Sequence, residues 1–355
     1  MSAEWVTAQT VTHPILENIP YINEEAIPLG ADKRNTNLLL EEFSNEGQSS
    51  ANAPLKLDVF VGTDVIFQYV TDDKTRGVIL DISNSILYEY NSSSNEVQKI
   101  AQAGRGPGDL FQPSDLTVWE GQVFVSGAEG LISIFECSST PCQYVRSINL
   151  EFVPHSIAVT EDRLFALGLP ESVSSDHPLH VFDKEGNLLQ SFGRFYHTDI
   201  GRLTNLYSEG KVRVDPDRNL IYLMYNSFPL VYVFNNDFEL DRLYRVEDFN
   251  YANLEIRYSS EGDMRGLSPI IADYDAMNGL YLEENGDVMV RVVNGVREEP
   301  NSTSFMISYS HYSIDNTSRE ASFLGKYDYQ LLTSEENLFL NRDGSIFMID
   351  NYREN

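Results

Sequence analysis

One local pattern limits this chain more than any other: a short hairpin that keeps returning. Leu116-Thr117-Val118-Trp119 and Val123-Phe124-Val125 flank Glu120-Gly121-Gln122, and Ser156-Ile157-Ala158-Val159 and Leu164-Phe165-Ala166-Leu167 flank Glu161-Asp162. The same frame is read at Val212–Leu223, at Gly279–Val290, at Val59–Val70 around Gly62-Thr63-Asp64, and at Leu338–Ile349. Runs of β-branched and aromatic residues around Asn, Asp and Gly turns form hairpins. Six recur about every 40 to 70 residues from Leu57 onward, the mark of a repeat architecture with insertions.

A second hairpin lies between them. Its clearest copy is Val181-Phe182-Asp183-Lys184-Glu185-Gly186-Asn187-Leu188-Leu189 through Phe192-Gly193, and Ser313-Ile314-Asp315 through Phe323-Leu324-Gly325 shares its frame. Weaker copies begin at Tyr88, Ile134 and Val233. About six inner hairpins thus stand against about five outer ones, so the last sheet lacks its outer strands. A ring of sheets must close to remove its exposed edge. The expectation is therefore all-β: a six-bladed β-propeller of four-stranded antiparallel sheets over residues 56–355. Residues 1–55, broken by Pro14, Pro20, Pro28 and Pro54, would be an N-terminal extension that supplies the closing strands. Between blades, Ala103–Pro113 holds three glycines and two prolines and cannot be helical. It reads as the crossing from one sheet's outer strand to the next sheet's inner strand.

Val181-Phe182-Asp183-x-x-Gly186-Asn187-x-Leu189-x-x-Phe192-Gly193 resembles the second half of an NHL repeat. Gly104-x-Gly106-Pro107-Gly108-Asp109-x-Phe111-x-x-Pro113, followed by Leu116-Thr117-Val118, resembles the first half. The glycine-rich run is also similar to that of the six-bladed β-propeller proteins of Bacteroidetes-type bacteria. The resemblance spans roughly residues 57–350. It implies a propeller fold and an exported, often lipid-anchored protein, and it names no activity.

Charge narrows the partners. The chain carries 54 acidic and 25 basic residues, a formal net of −29. Nucleic acid and anionic membrane surfaces need clustered Lys and Arg and are disfavoured. The acids either keep the protein soluble or recruit a cation or basic partner. No apolar run approaches the roughly 20 residues of a membrane span. Met1-Ser2-Ala3-Glu4-Trp5 lacks a basic start and an apolar stretch, so an exported form would have its leader absent from this chain. Cys137 and Cys142 flank Ser-Ser-Thr-Pro between two strand-like runs, a spacing that suits a local disulfide and an oxidising compartment.

Ligands of such a ring are expected over the central channel, where loops lead into the innermost strands. Residues placed there are Asp58, Ser114, Asp115, His155, Ser156, Glu209, Asp275, Asn278 and Asp328. Asp115 and His155 are the candidates for a metal, with Ca²⁺ the ion such oxygen ligands would hold. Arg105, on its glycine-rich turn, either meets an anionic ligand or pairs with a neighbouring acid. Tyr258 and Arg265 lie in the long insertion from about Asn250 to Met277, where specificity loops belong. The leading expectation is an exported, monomeric, non-catalytic propeller that binds a protein, peptide or glycan through its channel face and loops. The alternative is a Ca²⁺-dependent hydrolase or lactonase.

Overall fold

The computed structural model describes residues 19, 21, 25–29, 55–60, 65–91, 93–94, 96–169, 177–197, 201–247, 249–250, 274–283, 285–297, 305–327, 330–333, 338–340 and 345–348. Two strands precede the repeats: β1 (Ile27–Leu29) and β2 (Leu55–Phe60). The first sheet is β3 (Val65–Tyr69), β4 (Arg76–Asp81), β5 (Ile86–Asn91) and β6 (Glu96–Ala101). The second is β7 (Asp115–Trp119), β8 (Gln122–Ser126), β9 (Leu131–Glu136) and β10 (Gln143–Asn149). The third is β11 (Ser156–Val159), β12 (Leu164–Leu167), β13 (Leu179–Phe182) and β14 (Leu188–Phe192). A helix, α1 (Gly201–Ser208), leads into the fourth: β15 (Gly210–Asp215), β16 (Leu220–Tyr225), β17 (Leu230–Phe234) and β18 (Leu240–Val246). The fifth is β19 (Asp275–Leu282), β20 (Val288–Arg297), β21 (Phe305–Asp315) and β22 (Glu320–Tyr327).

Each sheet is antiparallel and steps outward in chain order, and β3, β7, β11, β15 and β19 touch one another in succession. The protein is thus an all-β propeller of small antiparallel sheets. Five sheets are built from consecutive strands. In a further set, β23 (Gln330–Thr333), β24 (Leu338–Leu340) and β25 (Ser345–Met348) pair antiparallel, and β2 joins β25 from the far end of the sequence.

The layers explain the composition of the strands. The middle strands Leu220-Ile221-Tyr222-Leu223-Met224-Tyr225 and Leu230-Val231-Tyr232-Val233-Phe234 are buried throughout. Each is covered on both faces by a neighbouring sheet, so apolar residues run continuously instead of alternating. The outer strands β6, β10 and β14 are largely exposed. The core is accordingly divided into inter-sheet layers. Phe165, Leu179, Ile221, Tyr232 and Phe234 fill the layer between the third and fourth sheets, and Tyr222, Met224, Leu280, Val290 and Ile314 the next one. Each large apolar side chain buried in this way contributes about 1.5–3 kcal/mol.

The second-hairpin motif has a direct cause. Asp183 Oδ1 accepts from the backbone N–H of Glu185 and Asn187, Asn235 Oδ1 from Asp237 and Glu239, and Asp315 Oδ1 from Thr317 and Ser318. The acid or amide after Phe182, Phe234 or Ile314 is the acceptor that closes the turn.

Two expectations about strands change. Val59-Phe60 and Val65–Val70 are not hairpin partners, because β3 pairs with β4 and β2 with β25, and Val61 lies outside the described residues. Leu338–Leu340 and Ile346–Met348 are not an inner hairpin, because β23 lies inside them. That sheet therefore needs one strand from the N-terminal side, and β2 supplies it. A turn signal reports which strands are close in sequence and is blind to an edge that the ring must cover. Outside the repeats, β1 lies parallel to β18 as a fifth strand on the fourth sheet.

Ala103–Pro113 performs the expected crossing from β6 to β7. An Ala103–Leu110 bridge closes it, Asp109 accepts from the Gly106 N–H at 2.9 Å, and Gly108 takes φ +83°, which favours glycine. Cys137 and Cys142 form a disulfide with S–S 2.02 Å in the turn from β9 to β10. The first sheet clamps that turn: Arg76, paired with Glu89 at 2.5 Å, donates to the Cys137 carbonyl, and Glu89 accepts from the Cys142 N–H.

Candidate functional site

The inner strands do not pair through their backbones, so side chains stitch them. Gln68 on β3 accepts from Val118 N–H on β7 at 2.8 Å. Asp115, at the start of β7, accepts from Ile157 N–H on β11 at 3.1 Å. Ser156, at the start of β11, accepts from Val212 N–H on β15 at 3.0 Å. Each stitch places a polar side chain against the next strand's free amide, which buried backbone requires.

Asp115 is the centre of this system. Its carboxylate is fully buried, takes Arg213 Nη1 and Nη2 at 2.8 and 3.1 Å, accepts from the Ser156 hydroxyl, and lies 3.4 Å from Lys211 Nζ. Burial would raise its pKa, but Arg213 and Lys211 outweigh that and hold it well below the usual carboxylate range. The same Lys211 influences two further groups at the mouth where the inner strands begin. His155 is pushed down to about 4 by burial, with Lys211 adding to the effect. Glu209 is pushed up to about 6 by burial, which Lys211 only partly offsets. Ser114 completes this end, its hydroxyl donating to the Pro154 carbonyl at 2.7 Å.

The structure thus brings Ser114, Asp115, His155, Ser156 and Glu209 together as the sequence suggested, and adds Lys211 and Arg213. Those two cations were legible as an anomaly: basic side chains at alternate positions of a strand whose other residues are Gly210, Val212, Val214 and Asp215, where a buried charge implies a partner. As a metal centre the site is poorly matched. Both Asp115 oxygens are taken by cations and N–H or O–H donors, and a divalent ion would share its space with the Lys211 ammonium. Among the described residues no group of three or more His, Cys, Asp or Glu is arranged to hold an ion. His177 and His180, whose spacing resembles a metal motif, instead contact the Gly193 and Gly168 carbonyls and Ser191.

The other candidates fall elsewhere. Asp58 is a correction: it lies in β2, an outermost strand, because β2 covers the edge of β25. Arg105 is two-thirds exposed, stacks on Phe111 at 3.9 Å and pairs with Glu129 at 3.2 Å rather than with Asp109. Asp275 begins β19, where it accepts from Asn250 N–H and the Asn294 amide. Tyr258, Arg265 and Asp328 lie outside the described residues.

At the opposite mouth, where the inner strands end, lies a cavity of about 350 Å³. The ends of β3, β7, β11, β15 and β19 all contribute to its walls, among them Tyr69, Trp119, Arg213 and Tyr281, with Asp72, Glu120 and Glu283 beside them. Trp119 and Glu120 are placed by a two-residue turn, Glu120-Gly121, in which both residues have positive φ and Trp119 pairs with Gln122. This cavity was not anticipated. Its signal was the lone tryptophan closing an inner strand.

These features define a propeller with a polar, internally neutralised axis and an aromatic cavity at one mouth. Its relatives are visible in structure alone. No family model matches the chain, and no curated protein matches its sequence. Among solved structures it is similar to an inferred exported protein of Bacteroides fragilis, with 16% identity, 78% of each chain covered and a TM-score of 0.52. It is also similar to a member of the DUF4221 family from Bacteroides vulgatus, with 10% identity, 82% of this chain and 97% of that chain covered, and a TM-score of 0.50. At these identities the likeness is one of fold. No helix among the described residues is long and apolar enough to cross a membrane.

Proposed function

We propose that this chain is an exported, non-catalytic β-propeller that binds a protein, peptide or glycan through its channel face and loops. The reading includes a ring of six blades, the last completed by β2 on β25. One observation carries the non-catalytic part: the axial carboxylate, Asp115, is saturated by Arg213, Lys211, Ser156 and the Ile157 amide. A carboxylate held ionised and fully bonded is a poor general base and a poor metal ligand. His155, kept neutral beside Lys211, has no acid partner to orient it among its described contacts. Export is supported by the Cys137–Cys142 disulfide, which suits an oxidising compartment, and by the exported description of the B. fragilis neighbour.

The test presents the purified chain to peptide and glycan arrays, then follows each retained ligand over time by mass spectrometry. Retention with the ligand chemically unchanged is expected. Consumption of a ligand, abolished by a chelator, would overturn this reading in favour of the metal-dependent hydrolase. Two free thiols in native material would remove the argument for export.

A further inference from the structure

We propose that the cavity where the inner strands end takes an organic cation, the ammonium or guanidinium group of a lysine or arginine side chain, so that the ligand of this propeller is a basic peptide. The inference rests on the binding function proposed above and assigns its chemistry.

The walls come first. The ends of five inner strands enclose about 350 Å³, and Tyr69, Trp119 and Tyr281 line that space from three of them. This is the lower end of the range for small-molecule sites, room for the tip of one side chain and too little for a folded segment. Aromatic rings prefer cations to anions, because the ring face is the negative part of its quadrupole. Two of these rings already stand beside cations of the protein. Lys74 Nζ lies 6.0 Å from the Tyr69 centroid, and Arg291 Cζ lies 5.4 Å from that of Tyr281. Trp119 is only partly buried, and no cation of the described residues stands over its ring. Tryptophan is the best of the three ring types for that contact.

The charges agree in sign. Asp72, Glu120 and Glu283 border the same space. Arg213 also lines it, but its Nη1 and Nη2 are bonded to Asp115 at 2.8 and 3.1 Å, so it enters as a neutralised pair. Even with Lys74 and Arg291 counted, the three carboxylates are in excess. A carboxylate or phosphate ligand would meet that excess as repulsion, and a neutral ring would gain nothing from it. The acids are also not gathered for a metal: among the described residues no three are placed to hold one ion. An ammonium or guanidinium group on a flexible stem lies on Trp119 and faces the separate acids at the same time. A chain with a net charge of −29 draws such a group in from solution.

The chain has two tryptophans, Trp5 and Trp119, so Trp5→Phe leaves a single emitter on the cavity wall. Its emission is titrated with acetyl-Gly-Lys-Gly-amide and with the same peptide carrying norleucine or glutamate in place of lysine. Butylammonium and a methyl hexoside are titrated in parallel. A saturable change with the lysine peptide is expected, weakening as ionic strength rises, and none with the norleucine or glutamate peptide. Adding Asp72→Asn and Glu120→Gln, both at exposed positions, should weaken that binding about tenfold at an unchanged melting temperature. No saturation by the lysine peptide, equal binding by the norleucine peptide, or full binding by the rim variant overturns the proposal. Tighter binding of butylammonium than of the lysine peptide overturns the assignment to a peptide. Saturation by the hexoside alone overturns the proposal while leaving the binding function intact. Cleavage of the bound peptide would instead support the cation site and refute the non-catalytic reading.

Discussion

Replacing Asp115 by asparagine keeps its shape and removes its charge. Arg213 would then remain buried with its guanidinium uncompensated, and Lys211 would lose its nearest carboxylate. Breaking a buried, hydrogen-bonded pair by removing one partner costs about 3–5 kcal/mol. With a urea m-value of about 3 kcal/mol/M, the unfolding midpoint should fall by about 1–1.7 M with the slope unchanged. The assay is equilibrium unfolding followed by tryptophan fluorescence and far-UV circular dichroism. The double variant Asp115→Leu/Arg213→Met replaces the pair by apolar groups and should cost less than the two single changes added together. The pH dependence has a definite sign. Asp115 is held below its ordinary value of 3.8, so its contribution is complete above that pH and is lost as pH falls below it. A loss under about 1 kcal/mol in Asp115→Asn, or strict additivity in the double variant, would refute the view that this network holds three inner strands together.

The two titratable groups beside Lys211 act in opposite directions. Glu209, raised from 4.5 to about 6, loses stability as pH rises through that interval, whereas His155, lowered from 6.5 to about 4, loses it as pH falls through its own. Thermal melts of His155→Gln should therefore show stability declining between pH 4.5 and 6, and Glu209→Gln should gain at most about 2 kcal/mol at pH 7. Cys137→Ser/Cys142→Ser opens a very short loop and should cost about 2 kcal/mol, measured as the midpoint shift between the oxidised parent and the variant. A variant with residues 55–60 replaced by a Gly-Ser linker lacks β2 and leaves the edge of β25 bare while keeping β1. It should aggregate in a concentration-dependent way in light scattering, while the parent chain stays monodisperse.

Much of the architecture was legible because it is local. The hairpins at Leu116–Val125, Ser156–Leu167 and Val212–Leu223 pair as their turns imply. The Asp183 and Asp315 turns close through their own side chains, and the disulfide spans five positions. Where local signals were followed past their range they misled: Gly62-Thr63-Asp64 looked like a hairpin turn, yet the strands on either side belong to different sheets. The helix α1 escaped notice because it is short and its aromatic contacts are tertiary: Tyr207 meets Tyr196 at 5.0 Å and stacks on Phe228 at 5.4 Å. Five of the seven site residues were likewise readable, since Ser114, His155 and Glu209 each stand just before an inner strand and Asp115 and Ser156 each begin one.

By itself, then, the sequence determined that this is a chain of antiparallel hairpins, with middle strands apolar on both faces and outer strands left polar. Periodicity and turn chemistry act over a few residues and are written wherever those residues stand. Only the tertiary structure decided that Asp115 meets Arg213 across 98 positions, that β2 finds β25, and that five strand ends enclose one cavity. Those contacts follow from the sheets packing side by side around an axis. Each inner strand is thereby left with free amides and charges that only a neighbouring sheet can satisfy.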